Sequence, residues 1–249
     1  MQLVVYDGSF EGFLTAVFEV YEYRFTDAYF AHQTNYQKNI YDKAHEVTTN
    51  ESKAARVWKG LQQRLSANAL EQLYKTYLSE KQDIENALLQ YMHYAFSSPT
   101  SIEQHFGHPA VLTITQTAKM VHREKHRMEA FIRFQRTADG LYYAVIEPDF
   151  DVLPLIKKHF QERYADQLWV IYDARRKYGL YYDMEQVMPV SIHFTGEAGM
   201  YDAEEALCQK LWKQYFTSVN IGARKNTKLH IQHMPRRYWK YLTEKKVFN

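Results

Sequence analysis

Three groups of residues in this chain have the types and spacing to do chemistry. His122 and His126 stand four apart and would share one face of a helix. That spacing suits a metal, but a zincin helix needs Glu directly after the first His, and Arg123 stands there. No third ligand is evident, and Arg123, Lys125 and Arg127 would repel a cation, so no metal is expected.

The second group is Glu147, Asp149 and Asp151, which would share one face of an extended segment. Together with His126 and Glu129, carboxylates of this kind could supply acid–base chemistry or bind Mg²⁺. The competing structural reading, which is favoured, ends a strand at Pro148 and has Asp151 cap the next helix. The third group is the basic end. From Val219 onward there are eight Lys or Arg against the single acid Glu244, and the rest of the chain is net acidic. Arg236, Arg237 and Lys240 flank Tyr238, Trp239 and Tyr241, with Arg224, Lys225 and Lys228 upstream. Cations give phosphate affinity and rings stack on unpaired bases, so this mixture suits a single strand or an extruded base. A strap in which Tyr238, Trp239 and Leu242 dock into the core is the alternative, and the two can coexist.

Composition narrows the setting. At 249 residues, 46% hydrophobic and 24% charged, the chain is long enough for a substantial core and lies in the soluble globular range. The single cysteine, Cys208, excludes an internal disulfide framework and a cysteine-rich zinc site. The first residues lack a signal-peptide pattern and no run approaches a membrane span, so a cytoplasmic protein is expected. The 21 tyrosines are expected to be mostly half-buried, ring inward and hydroxyl wet.

The elements that must position these groups follow from periodicity. Leu3 to Tyr6 reads as a strand, Asp7-Gly8 as a turn, and Ser9 as the cap of a helix carrying Phe10, Phe13, Leu14, Val17, Phe18 and Tyr21. No GxGxxG or GxxxxGK[ST] accompanies it, so no phosphate cradle is specified. Phe25 to Asn50 is poorly periodic, with a strand expected near Ile40 and Tyr41. Three amphipathic helices follow, built on Ala54 to Leu65, Leu70 to Leu78 and Ile84 to Tyr91. Ser97 to Ser101 is a composition break, which divides the chain into a strand-plus-helical part, 1–98, and an α+β part, 99–249, within what is expected to be one compact unit. A helix runs from Pro109 to about Lys125. MEAFIRFQ, from Met128 to Gln135, alternates like a strand, with Asp139-Gly140 as the turn to Leu141 to Ile146. A helix over Val152 to Tyr164 and a hairpin of Leu168 to Tyr172 with Tyr178 to Tyr182 come next. Val190 to Phe194 is a candidate edge strand, and Asp202 caps a last helix through Phe216. The fold class is α+β: an antiparallel sheet of hairpins against helices, with a mainly helical N-terminal half.

Several stretches resemble one bacterial family. They are VYDGSFEGFLTAVFEVYE near the start, HRMEAFIRF and IEPDFDVLPLIKKHFQERYADQLWVIYD in the centre, and LWKQYFTS with MPRRYW later. The family is domain-of-unknown-function family 4130, and the likeness runs in order over nearly the whole chain. The resemblance implies DNA metabolism or repair beside a radical-SAM protein, with fusion to a uracil-DNA-glycosylase-like domain in some relatives. It assigns no catalytic residue and implies no cofactor held by this chain. Without a cysteine cluster, any radical chemistry belongs to the partner.

Three functions are therefore expected to compete. A DNA-binding accessory protein would use Arg123, Arg127, Arg133, Arg163 and the basic end. An enzyme acting on a damaged or flipped base would use His126, Glu129, Glu147 and Asp149, with Tyr238 or Trp239 stacking the base. A protein-only scaffold would present the basic segment to the acidic surface of its partner.

Overall fold

The β-favouring start of the chain pairs as β1, Gln2–Tyr6, and Gly8, at a φ of 84°, makes the turn that Asp7-Gly8 predicts. Ser9 caps α1, Phe10–Glu22, by accepting from the Gly12 N–H, which satisfies one of the free donors of the first turn. The computed structural model describes residues 2–34, 36, 43–191, 207, 209–212, 214 and 231–245. The expected strand at Ile40 and Tyr41, the Asp202 cap and Cys208 lie outside them. The described chain separates into two compact units, Met1–His122 and Arg123–Asn249, divided within a helix beyond the Ser97 to Ser101 break.

In the first unit, β2 (Ala28–His32) and β3 (His45–Glu46) flank β1 in the order β2-β1-β3, and both pairings are parallel. α1 is the crossover that a parallel β1–β2 pair requires. Then come α2 (Glu51–Gln62), α3 (Ala67–Tyr77) and α4 (Ile84–Ser97). Asn50 and Ser66 cap the first two of these through their side chains. Phe13, Val17, Leu61, Leu73, Leu88 and Met92 are buried on the stripes their spacing predicts.

α5 spans Pro109–Phe131, with Val111, Ile114, Ala118, Val121 and Met128 buried along one stripe. This corrects the expected strand over Met128 to Gln135, because α5 takes its first four residues and only Gln135–Arg136 pairs, as β4. The remaining strands of the second unit are β5 (Tyr142–Ile146), β6 (Trp169–Asp173), β7 (Tyr178–Tyr182) and β8 (Val187–Val190). Their order is β4-β5-β6-β7-β8. α6, Leu153–Arg163, connects β5 to β6, which run parallel, while the other pairings are antiparallel. The fold is α+β, but its sheets are one parallel and one mixed rather than a set of antiparallel hairpins.

The predicted β6–β7 hairpin forms, and Gly179 lets its strands close. A Cβ there would sit 2.7 Å from the Ile171 carbonyl oxygen. β8 starts earlier than the expected edge strand and carries Pro189, a residue that edge strands tolerate. Two 3₁₀ turns, Arg236–Tyr241 and Thr243–Lys245, end the described chain.

Candidate functional site

The C-terminal end of α5 carries His126, Glu129 and Ala130 at the i, i+3, i+4 spacing of one helix face, and Arg133 follows two residues beyond the helix end. α6 carries His159 and Arg163 four apart, with Phe160 and Tyr164 beside them. All of these residues line one cavity of about 860 Å³, together with Phe134, Arg136, Tyr142, Gln167 and Trp212. That volume is in the range of small-ligand sites, roughly 300–1,000 Å³.

The cavity rests on an aromatic floor. Trp169, fully buried on β6, holds the Phe134, Phe160 and Tyr182 rings at centroid distances of 6.4, 6.3 and 5.4 Å. Phe160 stacks parallel to Tyr164 at 6.0 Å. Such packing locks the side chains around which a ligand would have to fit.

The charges on the wall are unequal. Arg133, Arg136, Arg163, His126 and His159 face a single carboxylate, Glu129, among the described lining residues. Glu129 accepts from Lys125 at 2.7 Å and lies 3.6 Å from His126 Nδ1 and 3.9 Å from His159 Nδ1. His126 is 82% exposed and Glu129 only 13%, so the histidine faces water while the carboxylate sits in the wall. Among the described residues, Arg163 reaches no carboxylate within ion-pair distance. Its guanidinium lies over the Tyr164 ring at 5.8 Å.

Arg133 is held differently. It donates to Glu244 from Nη2 at 2.9 Å and from Nε at 3.4 Å, and from Nη1 to the Ala130 and Ile132 carbonyls. Trp212 Nε1 donates to the same carboxylate at 3.0 Å. Burial would raise the pKa of Glu244. The hydrogen bonds from Arg133 outweigh it and hold the carboxyl below its ordinary range.

The carboxylate trio does not converge. Glu147 accepts from Lys240 and, at 2.7 Å, from Tyr241, and these hydrogen bonds hold it below the ordinary carboxylate range. Asp149 pairs with Arg237 at 2.8 Å. Asp151 accepts from Tyr178 at 2.5 Å, and α6 begins after Val152 with no side-chain cap, which corrects the expected Asp151 cap. None of the three lines the cavity that holds His126 and Glu129.

The C-terminal segment docks on Glu124, a buried carboxylate on the apolar stripe of α5. Glu124 accepts from the Tyr238 hydroxyl at 2.5 Å, from Arg237 at 2.8 Å and from the Asp149 N–H at 3.0 Å, with Arg127 3.6 Å away. Burial, then the bond to Glu124, pushes the Tyr238 phenol well above its ordinary range. Arg127 also donates to the Gln232 carbonyl. Tyr238 and Leu242 are buried, whereas Trp239 donates to the Met234 carbonyl with Arg236 and Lys245 against its ring.

Of the sequence candidates, the cavity thus gathers His126, Glu129, Arg133 and Arg163. Arg127, Glu147, Asp149, Arg237, Tyr238 and Lys240 are joined instead in the contacts that hold the strap. Arg236 and Trp239 sit on the strap outside the cavity, and Arg224, Lys225 and Lys228 lie outside the described residues. Among the described residues no three His, Cys, Asp or Glu side chains group as a metal site.

Comparison with known proteins places this geometry. The family model for domain of unknown function 4130, DUF4130, matches residues 82–244, more than half of the chain. The chain belongs to the DUF4130 family. The match includes every residue that lines the cavity. No curated protein matches the chain. Among solved structures it is similar to a pGpG-specific phosphodiesterase from Vibrio cholerae, at 10% identity and a TM-score of 0.38, covering 88% of this chain and 98% of that one.

Tyr142, Tyr164, Trp212 and Glu244 were not legible as site residues from the sequence. Reading Met128 to Phe131 as the end of the helix would have put His126 and Glu129 on one face. No local pattern marks Glu244 as their support.

Proposed function

We propose that this DUF4130 chain is a DNA-binding protein of DNA metabolism or repair that works beside a radical-SAM partner. In this reading its cavity receives an unpaired or extruded nucleotide. The observation that carries it is the cavity wall, where three arginines, one of them paired with Glu244, and two histidines meet one carboxylate among the described lining residues, beside stacked aromatic rings. Cations attract the phosphate and rings accept any base, a combination that suits single-stranded DNA. The test is titration of the full chain with a labelled single-stranded oligodeoxynucleotide at several salt concentrations. Affinity that falls steeply with salt is expected. No binding, or binding indifferent to salt, overturns the reading. In that case, nuclease-insensitive capture of the radical-SAM protein would favour a protein-only scaffold.

A second reading rests on Glu129. A carboxylate close to His159 Nδ1 can orient the imidazole so that its other nitrogen serves as a general base. This makes the cavity an enzyme site acting on the flipped base, with His126 at the rim. Release of a base or a shortened strand by the wild type, lost in E129Q with binding retained, is the expected result. A wild type that binds and never turns over any damaged oligonucleotide removes this version.

A further inference from the structure

The two walls of the cavity are chemically different. On one wall Arg133 spends its donors inward, on Glu244 and on two carbonyls of its own turn. Its guanidinium carbon lies 5.3 Å from the Trp212 ring centroid, and Trp212 is tied by its Nε1–H to the same carboxylate. Glu244 is 1% exposed at its side chain, so it cannot reach a ligand. What it can do is fix two planar groups at once, a guanidinium and an indole, in the wall of the cavity. On the other wall, α6 presents His159 and Arg163 one turn apart, and among the described residues Arg163 has no ion-pair partner.

A wall of fixed planes takes a ring, and a wall whose guanidinium stands outside any ion pair among the described residues takes an anion. We propose, building on the DNA-binding reading, that the cavity is a single-nucleotide site. Its base stacks on the plate formed by Trp212 and Arg133, and its phosphate meets Arg163 and His159. Glu244 is the positioning residue that holds the plate. Arg133 therefore contributes through orientation and shape, because its charge is answered by Glu244. The phosphate-dependent, salt-sensitive part of affinity belongs to α6.

The experiment uses the full chain with two probes, thymidine monophosphate and a short oligothymidylate, read by tryptophan fluorescence and by anisotropy across a salt series. Both probes are expected to quench fluorescence, and the quench is expected to vanish in W212F. W212F and E244Q should each weaken oligothymidylate binding by roughly tenfold, the scale of one base–aromatic stack, with the salt slope unchanged. R163A should keep the quench and lower the slope of log affinity against log salt by about one. A partial rescue of E244Q behaviour in E244D would mark orientation of the plate as the cause.

W212F is the check if E244Q fails to fold. Wild-type affinity and an intact quench in W212F overturn the stacking plate, while salt-dependent binding in the same experiment leaves the DNA reading standing. Conversely, quenching by the mononucleotide without oligothymidylate binding supports the nucleotide site and sinks the DNA reading. An R163A salt slope equal to wild type overturns the phosphate assignment.

Discussion

The two units use the same side chains to opposite ends. In the first, Tyr6, His32 and Glu85 close on one another, with the phenol 2.8 Å from the imidazole and 3.0 Å from the carboxylate, and His32 3.0 Å from Glu85. Glu19 is likewise enclosed by His45 at 2.6 Å and Lys53 at 2.8 Å. Each of these charges answers another, and the result holds strand ends to helices. In the second unit, Glu129 accepts from Lys125 at 2.7 Å but meets its histidines only at 3.6 and 3.9 Å, and Arg163 meets no carboxylate among the described residues. Closed circuits stabilise a fold. A loosely closed one beside a cavity leaves charge available to a ligand, and this difference locates the candidate site better than residue type does.

The comparison is broken most severely at Glu124, where the second unit encloses charge as tightly as the first does. E124A should leave Arg237 and Tyr238 without their buried acceptor and destabilise the chain by about 3 kcal/mol, read by chemical denaturation. A loss below about 1 kcal/mol would mean that the strap does not depend on this carboxylate. Next in size is E129Q, which removes the one carboxylate among the described residues that line the cavity. It should tighten oligonucleotide binding severalfold without loss of melting temperature. Weaker binding would show Glu129 to be a direct contact.

The closed circuit of the first unit should appear as a pH optimum. Burial would raise the Glu85 carboxyl, but the hydrogen bond from His32 dominates and holds it low. The Glu85 hydrogen bond in turn raises His32. Glu85 therefore contributes stability above its unfolded value of about 4.3, lost as pH falls through its lower folded value. His32 contributes below its unfolded value of about 6.5, lost as pH rises through its higher folded value. The melting temperature should be highest between the two folded values, and H32N should flatten the decline on the alkaline side. The same decline in H32N would assign it to another group. The smallest effect is expected at Lys240, whose pairing with Glu147 is half exposed. K240A should change stability by no more than about 0.5 kcal/mol. A larger loss would make the strap cooperative with this surface pair.

Much of the fold was legible because its helices carry regular stripes. α1 to α4 and α6 announce themselves by apolar spacing, with Ser9 and Ser66 as legible starts, whereas the Asn50 cap emerged only in the structure. The end of α5 was not legible, because Glu124 occupies a place in its apolar stripe. A carboxylate there is tolerable only with the buried partners Tyr238 and Arg237, more than a hundred residues away. With the stripe interrupted, the chance alternation of Met128, Ala130, Ile132 and Phe134 reads as a strand. The parallel β5–β6 pair was hidden by two strong turn signals, although the helix between the strands is the connection that such a pair needs. In the site, the ionisable candidates on α5 and α6 could be named from the sequence. The aromatic floor and Glu244 could not, since they meet the cavity only through tertiary structure.

The anchoring of the C-terminal strap has a consequence for the order of folding. Its contacts close very long loops, with 114 residues separating Glu124 from Tyr238 and 111 separating Arg133 from Glu244. The hairpin of β6 and β7, by contrast, is local. Loop-closure entropy delays contacts of high sequence separation, so the sheet should be in place before the strap lands on it. During that interval Glu124 is still hydrated and the Trp212 wall is not yet built. In stopped-flow refolding, the far-ultraviolet signal should then lead the fluorescence of Trp212, and the ability to take up a nucleotide should be the last property the chain acquires.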